Sequence, residues 1–189
     1  MNEANVVLCG GTESMSLAPY SVRGNRFGTR FGVDLKLEDT LWAGLTDSYV
    51  KLPMALTAEN LAEQYKLSRK DCDEYALQSQ KRWKHAQVNG HFKDEIAPVK
   101  IKGKKGEELF LIDEHARGDA TIEELGKLPA VFKKNGTVTA GNASGVCDGA
   151  ASVIIADEES VKKHNLTPLA RLVGYHTSGC DPKIMGIGR

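Results

Sequence analysis

Hydrophobic and polar residues alternate along this chain in blocks of two kinds. Some have the period of a strand and others the period of a helix. The run Ala150-Ala151-Ser152-Val153-Ile154-Ile155-Ala156 is apolar except at one serine, and turn residues bound it. Such a β-branched run predicts a strand buried on both faces. Asn5 to Leu8 predicts a second buried strand, ended by Gly10-Gly11, and Thr137 to Thr139 a short third one. Glu95 to Ile101 alternates, with Pro98 assigning it to a sheet edge, and Leu109 to Ile112 pairs back after the turn Gly103-Lys104-Lys105-Gly106. Leu169 to Tyr175 alternates enough for one more strand.

Helices carry their own start signals. Thr57 is suited to cap a helix over residues 58–65, with Glu59 in its first turn. Ser68 and Asp71 form a capping-box pair that opens a longer helix. Along it, Cys72, Tyr75, Ala76, Ser79, Trp83 and Ala86 share one face, and Lys70, Asp73, Glu74, Lys81 and Lys84 take the rest. Gly90 is a stop. Thr121 and Glu124 form a second capping box for a helix ending near Lys127, and Asp157 caps a helix through His164, with Asn165 suited to its end. Residues 17–52 show no clear period and read as an irregular covering segment. Strands alternating with helices indicate the α/β class.

Composition narrows the function. At 189 residues the chain can bury a substantial core in one or two domains. Lys plus Arg and Asp plus Glu each number 25, a balance that argues against a nucleic-acid binder. No apolar run approaches the ~20 residues of a membrane span, and no basic segment precedes an apolar one at the start. Cys9, Cys72, Cys147 and Cys180 lack zinc or CxxC spacing and read as reduced thiols. Cys9, at a strand end, reads as a small buried hydrophobe rather than a nucleophile. The five histidines show no catalytic spacing, and His85 and His91 read as solvated. No metal site is indicated.

The stretch Gly136 to Ala156 holds the candidate chemistry. Gly141, Asn142, Ser144, Gly145 and Gly149 lie between its two apolar runs, where glycine lets a ligand or another backbone approach closely. A ligand loop and a tight turn packed on a helix both fit that spacing. It is neither a Walker loop nor a GxGxxG motif.

Here a family resemblance enters. Thr139 to Gly145 (TAGNASG) with Asp148 to Ala151 (DGAA), the opening Val6 to Ser16, and Met54 to Ala62 (MALTAENLA) resemble three signatures of the thiolase family, in order. The likeness covers the whole chain and is strongest to the mitochondrial, degradative 3-ketoacyl-CoA branch. It implies a thiolase-like α/β fold, with residues 1–16 and 147–166 in the N-terminal domain. Residues 17–146 would be a loop domain covering the coenzyme, and 167–189 the start of the C-terminal domain.

By the same resemblance the activity is thiolytic cleavage of 3-ketoacyl-CoA to acetyl-CoA and a shortened acyl-CoA in fatty-acid β-oxidation. That chemistry takes an acyl-carrying cysteine of low pKa, an activating histidine, a second acid/base and donors for the oxyanion. The family's nucleophile lies upstream of the Val6–Ser16 signature. Its Asn-Glu-Ala-Phe, Gly-His-Pro and Cys-x-Gly motifs lie downstream of the glycine run at Gly186-Ile187-Gly188. None occurs here, so no catalytic residue is carried over. The chain is expected to be an internal fragment, inactive and poorly soluble alone, with at most weak affinity for CoA.

What does carry over is coenzyme binding. Arg117 corresponds to the loop arginine near the adenosine phosphates, Ser144 to the serine beside the pantetheine arm, Phe132 to an aromatic along that arm, and Met54 to the reactive end of the pocket. From the residues alone, Arg117 reads as surface and Phe132 and Met54 as core. Ala120 stands where close relatives have a threonine, which removes a hydroxyl unless Thr121 substitutes. CoA and acyl-CoA are implied as substrates, with no permanently bound cofactor. The full-length protein is implied to be a homo-oligomer, dimer or tetramer, of the mitochondrial matrix. The runner-up is an acetoacetyl-CoA thiolase, against which residues 35–42 and Pro53 weigh. A rival of another class is a non-catalytic CoA-binding or oligomerisation module.

Overall fold

A computed structural model describes residues 3–103 and 106–187. In chain order it contains β1 (Val6–Glu13), β2 (Tyr20–Val22), β3 (Leu37–Asp39), α1 (Thr40–Gly44), α2 (Met54–Tyr65), α3 (Arg69–Val88), β4 (Val99–Gly103), β5 (Gly106–Phe110), α4 (Ile122–Gly126), β6 (Gly149–Ala156) and α5 (Glu158–Lys163). Chain packing divides it into two compact units, Met1–Pro53 with Val146–Arg189, and Met54–Gly145.

The first unit is built on an antiparallel ladder in which Val6 faces Ala156 and Glu13 faces Gly149. Both ends are clasped. Asp157 N donates to Asn5 O at 3.0 Å, and Thr12 Oγ1 donates to Gly149 O at 3.1 Å. Beyond β1, Ser16 N donates to Asp148 Oδ1 at 2.9 Å. β1 runs through Gly10-Gly11 rather than ending there. Gly10 serves close approach, since a Cβ on it would lie 2.9 Å from Ala151 O.

Burial of this ladder departs from expectation. Val153, Ile154 and Ile155 are 49–68% exposed, and Cys9 is exposed too. The apolar run does form a strand, but the ladder has only two strands, and every residue of both is exposed except Ala156, which is half-buried. Residues 17–52 are more regular than expected, with the β2–β3 pair and α1, whose first turn is capped by Asp39. Asp157 caps α5, and Asn165 follows it in the left-handed region (φ 51°), as its sequence suggests. Residues 169–175 form no strand. They are irregular and exposed, and no neighbouring strand takes up their amides.

The second unit joins α2, α3, α4 and the β4–β5 hairpin. Ser68 and Asp71 make the expected capping box of α3, and Thr121 and Glu124 that of α4. The hairpin strands fall at 99–103 and 106–110, later on one side and earlier on the other than the alternation indicated. Lys104 and Lys105, expected at its turn, and Gly188 lie outside the described residues. Thr57 sits inside α2 instead of capping it, because the helix starts at Met54, and its hydroxyl donates to Met54 O at 2.7 Å. On α3 the inward face is rotated from the expected stripe: Tyr75 is 74% exposed, whereas Asp73 is 2% exposed. A charged side chain took the inner position because it has partners there. Among the described residues of this unit, buried Ala62 and Leu125 are outnumbered by buried Thr57, Glu59, Asp73 and Thr139. Its centre is polar, and such a centre is stable only when its hydrogen bonds are made.

Candidate functional site

Residues 131–145 are held against α2 and α3 by those buried polar groups. The expected strand at 137–139 is absent, because side chains rather than a neighbouring strand capture its amides. Glu59 accepts from Thr137 N at 2.9 Å, Thr137 Oγ1 at 3.0 Å and Val138 N at 2.8 Å. Successive amides that converge in this way make an anion nest. Burial pushes the Glu59 pKa up, but the Thr137 and Val138 donors, with Lys133, hold it below the ordinary glutamate value. Gly136 has no room for a side chain, since a Cβ there would lie 2.9 Å from Glu59 Cδ.

Asn142 closes the loop on itself. Its Oδ1 accepts from Thr139 N at 2.8 Å, and its Nδ2 donates to Thr137 O at 2.8 Å and to Asp73 Oδ1 at 2.9 Å. Asp73 Oδ2 accepts from Arg69 Nε at 2.7 Å. Arg69 Nη2 then donates to Leu125 O and Leu128 O, each at 2.8 Å, placing a cation at the C-terminal carbonyls of α4. A Cβ on Gly141 would lie 2.6 Å from both Leu125 Cδ2 and Leu128 Cδ1. The TAGNASG segment is therefore a turn packed tightly on helices, one of the two structures its spacing allowed. That packing leaves Ser144 at the exposed end of the turn, where Oγ lies 3.4 Å from Gly145 O.

The loop carrying Arg117 is seated on α3. Its backbone N–H donates to Gln80 Oε1 at 2.8 Å, Lys84 pairs with Asp119, and a Cβ on Gly118 would lie 2.7 Å from Lys84 Cβ. The Arg117 guanidinium is exposed and donates through Nη1 to Glu114 O at 3.2 Å. Two residues earlier, the His115 ring lies flush against Gly145, leaving no space for a Cβ there. This contact puts the Ser144 turn and the Arg117 loop side by side.

Met54 opens α2, 36% exposed, and Phe132 has the same exposure in the segment fastened to α2 by Lys133–Glu63 at 2.8 Å. They lie on the two segments that Glu59 joins, Met54 on α2 and Phe132 on the 131–139 segment. Two surface hollows, one within residues 22–38 and one around Phe92, Ile96 and Leu111, include none of these four residues. Thr121 Oγ1 accepts from Glu124 N at 3.2 Å, so capping α4 fixes its direction.

All four cysteines are free thiols, and Cys9, Cys147 and Cys180 are exposed. Burial raises the Cys72 pKa, which keeps that thiol protonated at neutral pH. His85 and His91 are exposed. Among the described residues there is no cluster of metal ligands, and no helix is long and apolar enough to cross a membrane. Sequence reasoning missed the Glu59–Asp73–Asn142–Arg69 network. Its only signal was a charge at inward helical spacing, and the partners stand some 70 residues further on.

A glycine turn locked onto helices beside the charged loop that carries Arg117, and a separate antiparallel strand pair, belong to an α/β protein of the thiolase-like fold. Residues 1–159 match the family described as Thiolase, N-terminal domain, and the chain belongs to the thiolase family. It is 69% identical over 186 residues to the mitochondrial 3-ketoacyl-CoA thiolase of Mus musculus, covering 98% of this chain and 47% of that protein. The Homo sapiens counterpart is 67% identical over 188 residues. The crystal structure of human mitochondrial 3-ketoacyl-CoA thiolase superimposes with a TM-score of 0.92 at 68% identity, over 98% of this chain and 47% of that one. The human enzyme in complex with CoA gives a TM-score of 0.90 at 66% identity, over 99% and 46%. The chain thus spans about half the length of the curated relatives it matches.

Proposed function

We propose that this chain is the coenzyme-facing segment of a 3-ketoacyl-CoA thiolase of the mitochondrial matrix. That enzyme transfers the acyl group of a 3-ketoacyl-CoA to CoA, releasing acetyl-CoA, in fatty-acid β-oxidation. The observation that carries this reading is the contact between the NASG turn and the Arg117 loop, in a chain that superimposes over 99% of its length on a CoA-bound relative. In this reading the exposed Arg117 fork meets the adenosine phosphates. Ser144 offers its hydroxyl to the pantetheine arm, and Phe132 and Met54 form apolar walls. CoA is a substrate, and no cofactor is held permanently.

The segment is assigned no catalytic residue. Residues 1–16 and 147–166 belong to the N-terminal sheet domain in this scheme, 17–146 to the loop domain and 167–189 to the start of the C-terminal domain. The complete protein is a homo-oligomer. Acetyl-CoA acetyltransferases of Bacillus anthracis and Syntrophomonas wolfei are 45% and 40% identical to the chain, which favours the degradative branch over the acetoacetyl-CoA one.

A chimera tests the proposal. Residues 1–189 replace the matching stretch of the mouse enzyme, and thiolysis of 3-ketoacyl-CoA is followed by loss of the ketoacyl absorbance. Activity within about tenfold of the parent is expected, and Arg117→Ala in the chimera raises KM for CoA by about tenfold, the size of one charge-assisted hydrogen bond. A folded chimera without thiolysis refutes the assignment.

A further inference from the structure

Beyond Met54, the MALTAENLA motif takes no part in the coenzyme contacts proposed above, yet it supplies a carboxylate, Glu59, that is only 3% exposed. Both oxygens of Glu59 are engaged, by two backbone amides and a hydroxyl of Thr137 and Val138. A carboxylate so enclosed has no face open to a substrate and is unsuited to proton transfer. Its geometry suits another task. Side-chain carboxylates seldom go into a polar centre unless several donors meet them, and here the donors come from the start of the NASG turn.

From Glu59 the connection to Ser144 is short. Thr137 O receives Asn142 Nδ2, Asn142 Oδ1 receives Thr139 N, and Ala143 N donates to Thr139 O at 2.9 Å. Gly136 admits the carboxylate because it has no side chain. Asn135, just before it, is held in the left-handed region (φ 59°).

We propose that Glu59 is a positioning residue: its carboxylate fills the nest of the Thr137 and Val138 amides and so sets the shape in which Ser144 meets the coenzyme. This rests on the coenzyme A reading above. Glutamine at this position brings an N–H₂ donor against amides that are themselves donors, so one half of the nest is lost. Aspartate keeps the charge on a side chain one methylene shorter.

Amide hydrogen exchange of residues 1–189 within the mouse-enzyme chimera described above, read by mass spectrometry with and without CoA, tests this. Glu59→Gln is expected to speed exchange at residues 136–142 by about tenfold or more, the loss of at least one charge-assisted hydrogen bond. Glu59→Asp speeds it less. Glu74→Gln, which removes an exposed carboxylate of α3 that pairs with Lys70, leaves it unchanged. CoA slows exchange at 115–117 and 143–145 in the unaltered chain and does not in Glu59→Gln.

The proposal is overturned if Glu59→Gln exchanges like the unaltered chain at 136–142, or keeps the CoA-dependent slowing. Absence of slowing in the unaltered chain refutes the coenzyme reading and the positioning role with it, while the comparison without CoA still reports on the nest. If Glu59→Gln also loses protection across α3, Thr137→Val decides, because it removes only the hydroxyl donor. It must speed exchange at 136–142 while α3 stays protected, and unchanged exchange there overturns the proposal.

Discussion

Replacing Asp73 by alanine probes how the second unit holds together. The carboxylate is 2% exposed and joins two partners, Arg69 Nε at 2.7 Å and Asn142 Nδ2 at 2.9 Å. Loss of the charge-assisted bond costs about 1.5–3 kcal/mol and loss of the amide bond about 1 kcal/mol. Arg69 softens the first figure: it keeps Leu125 O and Leu128 O, and its side chain is 26% exposed, so water partly replaces the lost carboxylate. The net expectation is about 3 kcal/mol. With a urea m-value of ~1–3 kcal/mol per molar, the unfolding midpoint falls by ~1–3 M. Far-UV circular dichroism is the readout, since α2 and α3 dominate the helical signal. Asp73→Leu combined with Arg69→Met removes both charges and should cost less than Asp73→Ala alone. A midpoint unchanged in Asp73→Ala would show that the carboxylate contributes nothing specific, and a double variant less stable than the single one would show that Arg69 stabilises through Leu125 O and Leu128 O without its acidic partner.

Three further outcomes follow from the same packing. Gly141→Ala should destabilise by about 1–3 kcal/mol, because its methyl meets Leu125 and Leu128, whereas Gly126→Ala, with open space around it, should not; urea unfolding separates them. Ser68→Ala should lower stability by about 1 kcal/mol through loss of the α3 cap, measured the same way. Glu59 has a folded pKa below its unfolded value of about 4.3, so it binds fewer protons when folded. Its contribution is fully present above that value and is lost as pH falls through the folded pKa. Exchange at Thr137 and Val138, corrected for intrinsic rates, should therefore rise on acidification below about pH 4, and a flat profile there would contradict the sign.

Local grammar was readable from the sequence wherever the deciding partner was near in the chain. Ser68 with Asp71, Thr121 with Glu124, and Asp157 with Ser160 each settle a helix start within three residues, and each was legible. Thr57 misled because a good capping residue also hydrogen-bonds back inside a helix. Asp73 misled because periodicity assigns charges outward, and its partner Asn142 is 69 residues away. Cys9 and the β6 residues follow strand periodicity, but periodicity states only what a strand would bury, not whether a neighbour covers it. For the candidate site, Ser144 and Arg117 were proposed from the family resemblance alone, while the contact between their loops runs through His115 and Gly145, which no spacing rule links.

The β1–β6 ladder has a cellular corollary. Leu8, Val153, Ile154 and Ile155 stand bare on a paired ribbon with unpaired outer edges, the kind of surface that recruits holdase chaperones and templates strand addition. Any further strand laid along those edges would pair the open backbone groups and cover the apolar side chains in one step.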